Sequence, residues 1–524
     1  MPRFEYKTVS PAEQAADLLI LPFYQGPETG PGVRETGKAL RADLVAMLRD
    51  NGAKGRLGET FGVPTFGRLK AGTVLLVGLG PKDEVDADRV RRAAGKIATR
   101  VNRYRRVATT LPAAAGGSRE EAVQAFVEGL VLGGYRFERY KGNSKDDDGD
   151  EPPRLDRVTI LGSDRGDARA ASEAIKRGEI LAEAAAWARD LVNTPALDAT
   201  PDFLAKEARK MAGKHGLKVK VWSEAELKRG GFGGVLGVGQ GSENPPRLIE
   251  LRYEGGRGAP VGLTGKGVTF DSGGLSIKDS KGMEWMKADM AGAATVLAAM
   301  RAIAQLKPKV NVVAAIPSAE NLPSGTAIRP GDVITHRGGK TSEVLNTDAE
   351  GRLILADALA YLTEQKPRLI VDFATLTGAC MVALGEDIWG VMGNDDGLIK
   401  DLIDAGQRSG EPGWQLPLWK GYRKQIDSNI ADVKNIGNRW GGAITAALFL
   451  QEFVGETPWA HVDIAGTAFA ESPGDYWPKG GTGNPVRTLV RFIEAQPNGG
   501  GSKPTGRKSA GAKAGGRKRA RSKR

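Results

Sequence analysis

The chain has little cysteine, little histidine and few aromatic residues. Cys380 is the single cysteine in 524 residues, so no disulfide can form within the chain, and we expect a reducing cytoplasm. Its thiol lies in the apolar segment TLTGACMVALG, a setting typical of a buried, unreactive cysteine. The histidines are His215, His336 and His461, and none has the His-Glu-x-x-His spacing of a zincin-type metal site. His336 and His461 adjoin strand-like runs, and we predict structural roles for both.

Long apolar runs are also absent. The N-terminal segment has no extended apolar stretch after its first basic residue, so it does not resemble a secretory signal. No segment approaches the roughly 18 to 20 consecutive apolar residues that a membrane helix requires. The sequence therefore predicts no association with a membrane.

Three catalytic or nucleotide-binding motifs are missing as well. The chain has no Gly-x-Ser-x-Gly nucleophile elbow. The pair Gly265-Lys266 is not a phosphate loop, because Pro260 and Gly267 occupy the positions that need glycine and serine or threonine. The dinucleotide fingerprint that could begin at Gly78 fails at Asp83. A nucleotide site in the first part of the chain would rest on fold analogy alone.

Acidic residues are absent from the C-terminal end. The formal net charge is +12, but ten basic residues and no acid lie in residues 498–524, which leaves the rest of the chain nearly neutral. This Gly/Ser/Ala/Lys/Arg segment cannot bury enough apolar surface to fold, so we predict a disordered basic tail. Two interpretations stay open: a solvated extension without a dedicated partner, or a salt-sensitive contact with DNA.

Residues 1–165 alternate between strand-like and helix-like segments. Thr73–Val77 and Val158–Leu161 are short apolar runs that predict buried strands, whereas Ala87–Arg103 and Glu120–Leu132 have apolar residues at helical spacing. Such alternation predicts a smaller N-terminal α/β domain. The charged segment 141–154 contains proline and glycine, and we predict an exposed acidic loop.

The rest of the chain predicts a larger second domain of the same class. Residues 166–192 form an Ala-rich linker helix, and Thr200 is placed to cap the next helix. Residues 193–497 then predict an α/β catalytic domain with a mostly buried mixed sheet. Its predicted strands are Leu248–Tyr253, Pro260–Leu263, Val310–Ile316, Leu369–Phe373 and His461–Ile464, and its predicted helices include Ala288–Gln305, Leu353–Gln365 and Ala443–Val454.

Four carboxylates stand out in two glycine-containing segments, residues 265–289 and 346–352. Asp271 precedes Ser-Gly-Gly, which permits a tight turn close to a ligand, and Asp289 is expected to open a helix. Asp348 and Glu350 are two residues apart, which in an extended segment would place both on one face. Converging carboxylates repel one another unless cations lie between them, and paired divalent ions can activate a hydrolytic water.

Each carboxylate taken singly could equally be an ordinary capping or loop residue. The joint pattern is harder to explain in that way, because Lys266, Lys278 and Arg352 are interleaved with the four acids. We therefore favour a two-metal hydrolytic site.

These residues resemble the motifs of the leucyl (cytosol) aminopeptidase family. The resemblance is carried by KGVTFDSGGLSIK (266–278), MKAD (286–289) and, most specifically, NTDAEGR (346–352). It extends from about residue 193 to 492 and is weaker in the first domain. It implies a metal-dependent aminopeptidase with two divalent ions, Mn²⁺ or Zn²⁺, per subunit, and by analogy a homohexamer that acts on peptides.

The resemblance also implies a role for each motif residue. One metal position would use Lys266, Asp271, Asp289 and Glu350, and the more exchangeable one Asp271, Asp348 and Glu350. Lys278 would stabilise the oxyanion, and Arg352 would hold a bicarbonate ion that acts as general base. The positions matching the pocket for the first peptide residue are Met286, Thr375, Leu376, Gly378 and Ala465. At Ala468 a small residue replaces the methionine of some relatives, which leaves the preferred first residue open.

Overall fold

The computed structural model describes residues 1–142, 155–164 and 166–498. The predicted acidic loop of 141–154 and the predicted basic tail of 498–524 lie outside these ranges, apart from residues 141, 142 and 498. Two α/β domains with mixed sheets follow one another along the chain, the second larger than the first, which confirms the predicted fold class. Within the described ranges, no helix is both long and apolar enough to cross a membrane.

The N-terminal domain is built on a mostly parallel sheet. Its strands are β1 (Arg3–Lys7), β2 (Ala16–Tyr24), β3 (Glu28–Thr29), β4 (Thr60–Pro64), β5 (Ala71–Gly78), β6 (Arg106–Thr109) and β7 (Arg157–Leu161). Among the described residues the order is β1-β7-β6-β2-β5-β4, with β3 beside β2, and β3 and β4 are antiparallel to their neighbours. β2 and β5 are nearly continuous apolar runs because the sheet is packed on both faces.

Four helices cover this sheet: α1 (Val33–Leu40), α2 (Leu44–Asp50), α3 (Ala87–Val101) and α4 (Arg119–Gly133). Short 3₁₀ turns lie at Lys82–Glu84 and Leu111–Ala114. α3 and α4 begin where Asp86 and Ser118 accept hydrogen bonds from the backbone N–H groups of Arg89 and Glu121. Such side chains satisfy amides that the first helical turn leaves free.

Among the described residues, the second domain has one larger mixed sheet and two smaller sheets, of three and two strands. Its strands are β8 (Lys218–Trp222), β9 (Arg247–Glu254), β10 (Val261–Gly265), β11 (Gly267–Asp271), β12 (Asn311–Asn321), β13 (Val333–Thr335), β14 (Thr341–Glu343), β15 (Leu369–Ala374), β16 (Trp389–Gly393), β17 (Gly413–Gln415), β18 (Val433–Lys434), β19 (Trp459–Asp463), β20 (Phe469–Ala470) and β21 (Gly480–Gly481). The main order is β17-β16-β19-β15-β10-β12-β9-β8, with β11 beside β12. β19, β15, β10, β12 and β11 run parallel, so their carboxyl ends share one edge.

The helices of this part of the chain pack on both faces of the larger sheet and bury two apolar clusters. They are α5 (Ala168–Asn193), α6 (Pro201–His215), α7 (Glu224–Arg229), α8 (Gly233–Gly239), α9 (Ser280–Met283), α10 (Ala291–Leu306), α11 (Gly351–Glu364), α12 (Gly378–Leu384), α13 (Asp396–Ser409), α14 (Gly442–Gln451) and α15 (Val486–Glu494). Further 3₁₀ turns lie at Met286–Ala288 and Lys420–Ile426. Thr200 caps α6 by accepting from the N–H of Phe203, as its position predicts.

Helix α5 packs against both domains. It lies along α4 of the first domain and along α10 of the second. Ile175 belongs to the core of the first domain, whereas Leu181 and Val192 belong to that of the second. The helix therefore joins the two domains by shared packing as well as by covalent connection.

Two local predictions are wrong. Asp289 does not open a helix: it follows the 3₁₀ turn and α10 begins at Ala291, because the Asp289 carboxylate is engaged by Thr375 and Lys266. The segment before α11 is not extended either. Ala349 N–H donates to the Asn346 carbonyl, which closes a turn, so two-residue alternation is not what brings these acids together.

Candidate active site

A cleft of about 560 Å³ opens at the carboxyl edge of the parallel strands. β10, β11, β15 and β19 all end at this edge, where open α/β sheets place their ligands. Every metal-ligating, catalytic and substrate-contacting residue that the sequence predicts lines the cleft, except Glu350. Glu350 lies next to it, with Oε1 2.7 Å from the Nζ of Lys266. The structure thus brings the whole predicted set together.

Lys266 lies between β10 and β11 and points among the carboxylates. Its Nζ is 2.9 Å from Asp289 Oδ2 and donates to the Thr375 carbonyl at 3.1 Å. The side chain passes so close to Gly351 that a Cβ there would lie 2.6 Å from the Lys266 Cδ. A Cβ at position 351 would force the Lys266 side chain to shift. The two predicted segments, 265–289 and 346–352, are therefore in direct contact.

Asp271 is the last residue of β11 and is held in place by two amide donors. Its Oδ1 accepts from the N–H of Gly273 and from Nδ2 of Asn321, both at 2.8 Å. Gly273 has a φ of +85°, which favours glycine, so the predicted tight turn after Asp271 is present. Oδ2 faces the cleft, where it lies 2.9 Å from the Nζ of Lys278. That ammonium group also forms an ion pair with Asp348.

Asp271, Asp348 and Glu350 converge, with one oxygen of each within 4.8 Å of the others. Glu350 Oε1, Asp289 Oδ2 and Asp348 Oδ1 are buried and form ion pairs with Lys266 or Lys278, whereas the buried Glu350 Oε2 has no hydrogen-bond partner among the described residues. A buried oxygen without a partner is rare, because leaving it unpaired is costly. Four carboxylates that face only two lysines form a hard donor set that fits divalent cations.

The carboxylates raise one another's pKa values. Burial and the neighbouring Asp271 raise the pKa of Glu350 and of Asp348. Burial likewise raises the pKa of Asp289, despite the adjacent Lys266 ammonium. For the lysines, burial opposes the charged form but the carboxylates outweigh it, so the pKa values of Lys266 and Lys278 are both raised. The site holds more negative charge than its own lysines neutralise.

Arg352 lies in the first turn of α11 and is held by the loop that follows β18. Its Nη1 donates to the Asn435 carbonyl at 2.7 Å, whereas its buried Nε has no partner among the described residues. Burial lowers the pKa of Arg352 to about 10, which still leaves the guanidinium charged at neutral pH. The side chain is thus a cation with a spare donor on the wall of the cleft.

The predicted pocket residues line the same cleft beside the carboxylates. Thr375 donates from Oγ1 to Asp289 Oδ1 at 2.7 Å, and Leu376 N–H donates to Asp463 Oδ1 at 3.2 Å. Met286 and Ala465 complete this part of the wall. Gly378, at the start of α12, has no neighbouring atom where a Cβ would lie, so the space in front of it is open.

Four polar residues that the sequence did not single out hold the site together. Asn321 links Asp271 to the Thr347 carbonyl through Nδ2 at 2.8 and 2.9 Å. Asn435 accepts from Leu345 N–H at 2.9 Å and donates to the Asn346 carbonyl at 2.7 Å. Thr347 and Asp463 support the turns beside them in the same way. Asn321 and Asp463 end β12 and β19 and Asn435 follows β18, whereas Thr347 lies within NTDAEGR.

The histidines and the cysteine of the core take structural positions. His336 contacts Asp357 and Ser342, and His461 contacts Asp372 at 2.6 Å, all buried. Burial raises the pKa of Cys380 to about 12, so its thiol stays protonated, in agreement with the sequence analysis.

Comparison with known proteins identifies the family. The model of the cytosol aminopeptidase family, catalytic domain, matches residues 186–490, and the model of its N-terminal domain matches residues 20–144. This chain belongs to the cytosol aminopeptidase family. The family assignment predicted from the motifs is confirmed, and with it a metal-dependent aminopeptidase, a hydrolase of peptide bonds.

Several relatives of the cytosol aminopeptidase family are similar over nearly their whole length. The probable cytosol aminopeptidase of Syntrophotalea carbinolica is 47% identical over 92% of this chain and 97% of its own. That of Streptomyces griseus subsp. griseus is 47% identical over 93% and 97%. Among solved structures, the bottromycin maturation enzyme BotP in complex with Mn has a TM-score of 0.82, with 39% identity over 92% of this chain and 99% of its own. A mutant of tomato leucine aminopeptidase has a TM-score of 0.84, with 32% identity over 95% and 97%.

Proposed function

We propose that this aminopeptidase removes N-terminal residues from peptides with two divalent metal ions, Mn²⁺ or Zn²⁺, per subunit. The ligands would be Lys266, Asp271, Asp289, Asp348 and Glu350. The observation that carries this proposal is the convergence of four carboxylates on two lysines, with one oxygen each of Asp271, Asp348 and Glu350 within 4.8 Å of the others. The Mn complex of the similar enzyme BotP supports a divalent ion of this type.

The five ligands divide into two overlapping sets. Lys266, Asp271, Asp289 and Glu350 form one set, and Asp271, Asp348 and Glu350 form the other. Lysine can be a ligand only when neutral, whereas the carboxylates alone raise the pKa of Lys266. Divalent cations reverse that balance, because they repel the ammonium form. When bound, two such ions supply Lewis-acid polarisation of the peptide carbonyl and an activated water nucleophile.

Lys278 and Arg352 bind no metal in this proposal and perform the remaining chemistry. Lys278 stays protonated because Asp271 and Asp348 stabilise its charge, and it can donate a hydrogen bond to the oxyanion of the tetrahedral intermediate. Arg352 offers its positive charge on the cleft wall to a small anion, and bicarbonate in that position would accept the proton of the attacking water. None of the described residues that line the cleft is a histidine that could take this role.

The first residue of the peptide would lie in the pocket formed by Met286, Thr375, Leu376, Gly378 and Ala465. All five line the cleft next to the carboxylates. Ala468 lines it too, and its small side chain leaves room for a first residue longer than leucine.

The experiment is hydrolysis of leucine p-nitroanilide by the full chain. We expect activity to disappear with a chelator and to return with Mn²⁺ or Zn²⁺, and we expect N-acetyl-leucine p-nitroanilide to resist cleavage because its amine is blocked. The variant Lys278→Met should lower kcat by about 100- to 1,000-fold with little change in KM, as loss of an oxyanion donor does. Absence of hydrolysis with every metal would overturn the proposal.

We further propose that the chain self-associates, as a homohexamer. Trp414, Trp419, Ile430 and Trp440 are each more than 60% exposed on the catalytic domain. Exposed large apolar side chains of this kind mark interaction surfaces. Light scattering should give six times the subunit mass, and Trp440→Ala should lower the assembled fraction.

The basic tail supports a second, separable role as a non-specific DNA contact. Its ten cations would give an affinity that falls steeply with salt. Truncation after Asn498 should abolish DNA retention on a gel and leave peptide hydrolysis intact. Unchanged retention would exclude the tail. We place these activities in the cytoplasm, where Cys380 stays reduced.

A further inference from the structure

Asn435 lies behind the turn that carries Asp348, and its side chain is 0% exposed. Its Oδ1 accepts from the backbone N–H groups of Leu345 at 2.9 Å and of Asn346 at 3.3 Å. Its Nδ2 donates to the carbonyls of Asn346 at 2.7 Å and of Ala349 at 3.4 Å. A side-chain amide offers two donors and one carbonyl oxygen with two lone pairs, so this one spends its whole capacity on a single turn.

The main chain of Asn435 is itself fixed on both sides. Its N–H donates to the Glu343 carbonyl at 2.9 Å, which continues the pairing of β18 with β14. Its carbonyl accepts from Nη1 of Arg352 at 2.7 Å. The side-chain amide is therefore presented to the turn from an anchored backbone.

Asp348 is held by less regular structure than most of the other proposed ligands. Asp271 is the last residue of β11, and Lys266 lies between two buried strands. Glu350 immediately precedes α11, whose first turns are buried in the core. Asp348 instead lies in the turn before that helix, and its side chain is 34% exposed against 2% for Glu350. A displacement of the turn would therefore move Asp348 more than its neighbours.

Thr347 holds the other side of this turn. Its hydroxyl donates to the Gly273 carbonyl at 2.6 Å and accepts from the N–H of Ser276 at 2.8 Å. These contacts do not involve Asn435. A chain without the Asn435 amide would keep one attachment of the turn and lose the opposite one, which would displace Asp348 while the domain stays folded.

We propose that Asn435 is a positioning residue for Asp348, and that it supports one of the two metal ions selectively. Asn435 does not line the cleft, so it acts through the turn and touches neither peptide nor metal. The inference rests on the proposed two-metal function and adds a residue to it. Partners that hold metal ligands from behind contribute about 10- to 100-fold to metal affinity.

The test is titration of the metal-free full chain with Mn²⁺, in which the electron paramagnetic resonance signal measures the free ion. We expect the natural chain to bind two ions per subunit. Asn435→Ala removes the amide but keeps the main-chain carbonyl that holds Arg352. It should weaken one ion by about 10- to 100-fold and leave the other unchanged.

A double substitution shows whether the effect passes through Asp348. Asp348→Asn removes the charge of this ligand and should weaken the same ion. Adding Asn435→Ala to it should change the affinities by less than about twofold, because effects that act through one group do not add. Additive losses would show that Asn435 acts elsewhere and would overturn the inference.

The control is Asn394→Ala, which removes an amide with the same kinds of contact at the opposite edge of the sheet. Asn394 accepts from the N–H of Trp459 at 2.7 Å and donates to the Thr457 carbonyl at 3.0 Å, at the start of β19. This variant should lower the free energy of unfolding and leave both Mn²⁺ affinities as in the natural chain.

The outcomes separate this inference from the proposed function. If Asn435→Ala binds both ions as tightly as the natural chain, or weakens both equally, Asn435 does not position Asp348 and the two-metal proposal stands. If the natural chain binds fewer than two ions, the proposed function fails and the inference fails with it. Asn435→Ser, whose hydroxyl leaves room for a water, repeats the titration if the alanine variant does not fold. If neither variant folds, Asn435 is a purely structural residue and the inference is wrong.

Discussion

Two clusters of buried charged residues in this molecule contain the same residue types but have different roles. In the active site, Glu350 is 1% exposed, Lys266 is its one ion-pair partner among the described residues, and its pKa is raised. Between the domains, Glu128 is also 1% exposed, but it accepts from Arg91 at 2.9 Å, from Arg487 at 3.0 Å and from Gln124 at 2.7 Å. Burial opposes its charge, yet the two arginines lower the pKa of Glu128 to about 2.

The difference lies in what each cluster still needs. In the interdomain cluster the charged groups are paired with one another. Arg487 also donates to Glu411 and to the Tyr476 hydroxyl. The active-site cluster is complete only with cations supplied from solution. Equal burial therefore does not indicate an equal role, and an excess of carboxylates over cations distinguishes a binding site from a structural network.

The largest expected effect is that of Glu350→Gln on activity. Loss of a carboxylate from both proposed ligand sets removes several kcal/mol of transition-state stabilisation. At 1.36 kcal/mol for each tenfold, kcat/KM should fall at least about a thousandfold. Without metal, the Glu350→Gln variant should be at least as stable to unfolding as the natural chain, because the substitution removes a carboxylate that its neighbours repel. A large loss of stability in this variant would mean that Glu350 is structural, like Glu128.

The same substitution in the other cluster, Glu128→Gln, should act on stability. Two buried arginines would lose their carboxylate, and breaking such a network costs about 3 to 5 kcal/mol. Urea unfolding followed by circular dichroism measures this loss. The folded variant should keep its kcat/KM for leucine p-nitroanilide. If activity fell a thousandfold without a change in unfolding, the contrast between the clusters would be incorrect.

The stabilisation by bound metal should also distinguish the two clusters. Metal at 100 times its Kd stabilises the folded state by about 2.7 kcal/mol, which raises Tm. Glu350→Gln should abolish most of that increase, whereas Glu128→Gln should keep it at a lower starting Tm. Scanning calorimetry with and without Mn²⁺ gives both values. An equal increase in the two variants would show that the metal binds elsewhere.

The smallest effect is the acid sensitivity of the interdomain cluster. The pKa of Glu128 is about 2 in the folded chain against 4.5 ordinarily, so its stabilising contribution is complete above 4.5 and is lost as the pH falls toward 2. Between pH 5 and pH 3 this amounts to about 2 kcal/mol. The natural chain should lose that much more stability over this interval than Glu128→Gln. If the free energy of unfolding changed equally with pH in the natural chain and in Glu128→Gln, the arginines would not be stabilising the Glu128 carboxylate.

Much of the active site could be predicted from the sequence because its residues cluster in short, distinctive segments. Lys266 to Lys278 and NTDAEGR place six of the seven proposed metal-ligating and catalytic residues within two runs of the chain, with Asp289 close by. The supporting residues could not be predicted in this way. The Asn435 side chain accepts a hydrogen bond from the N–H of Leu345, which lies 90 residues away in sequence, and no local pattern predicts that contact.

The sheets and helices followed from apolar periodicity, whereas details at their ends did not. β12 continues to Asn321, beyond the predicted Ile316, and the Asn321 side chain at its polar end donates a hydrogen bond to Asp271. Asp289 was misplaced because its carboxylate is used by tertiary partners rather than as a cap. The interdomain cluster cannot be predicted from the sequence, because Arg91 and Glu128 resemble the solvated charges of any amphipathic helix.

Helix α5 determines how this chain can be divided. The catalytic family match begins at residue 186, but α5 begins at Ala168, so a fragment cut at 186 would lack about five of its turns. Those turns include Ile180 and Leu181, which pack in the core of the catalytic domain. They also include Arg177, which forms an ion pair with Glu494 at the end of α15. A recombinant catalytic fragment should therefore start before Ala168. Even then it would expose the face of α5 that α4 covers, which makes the two domains one unit for expression and for engineering.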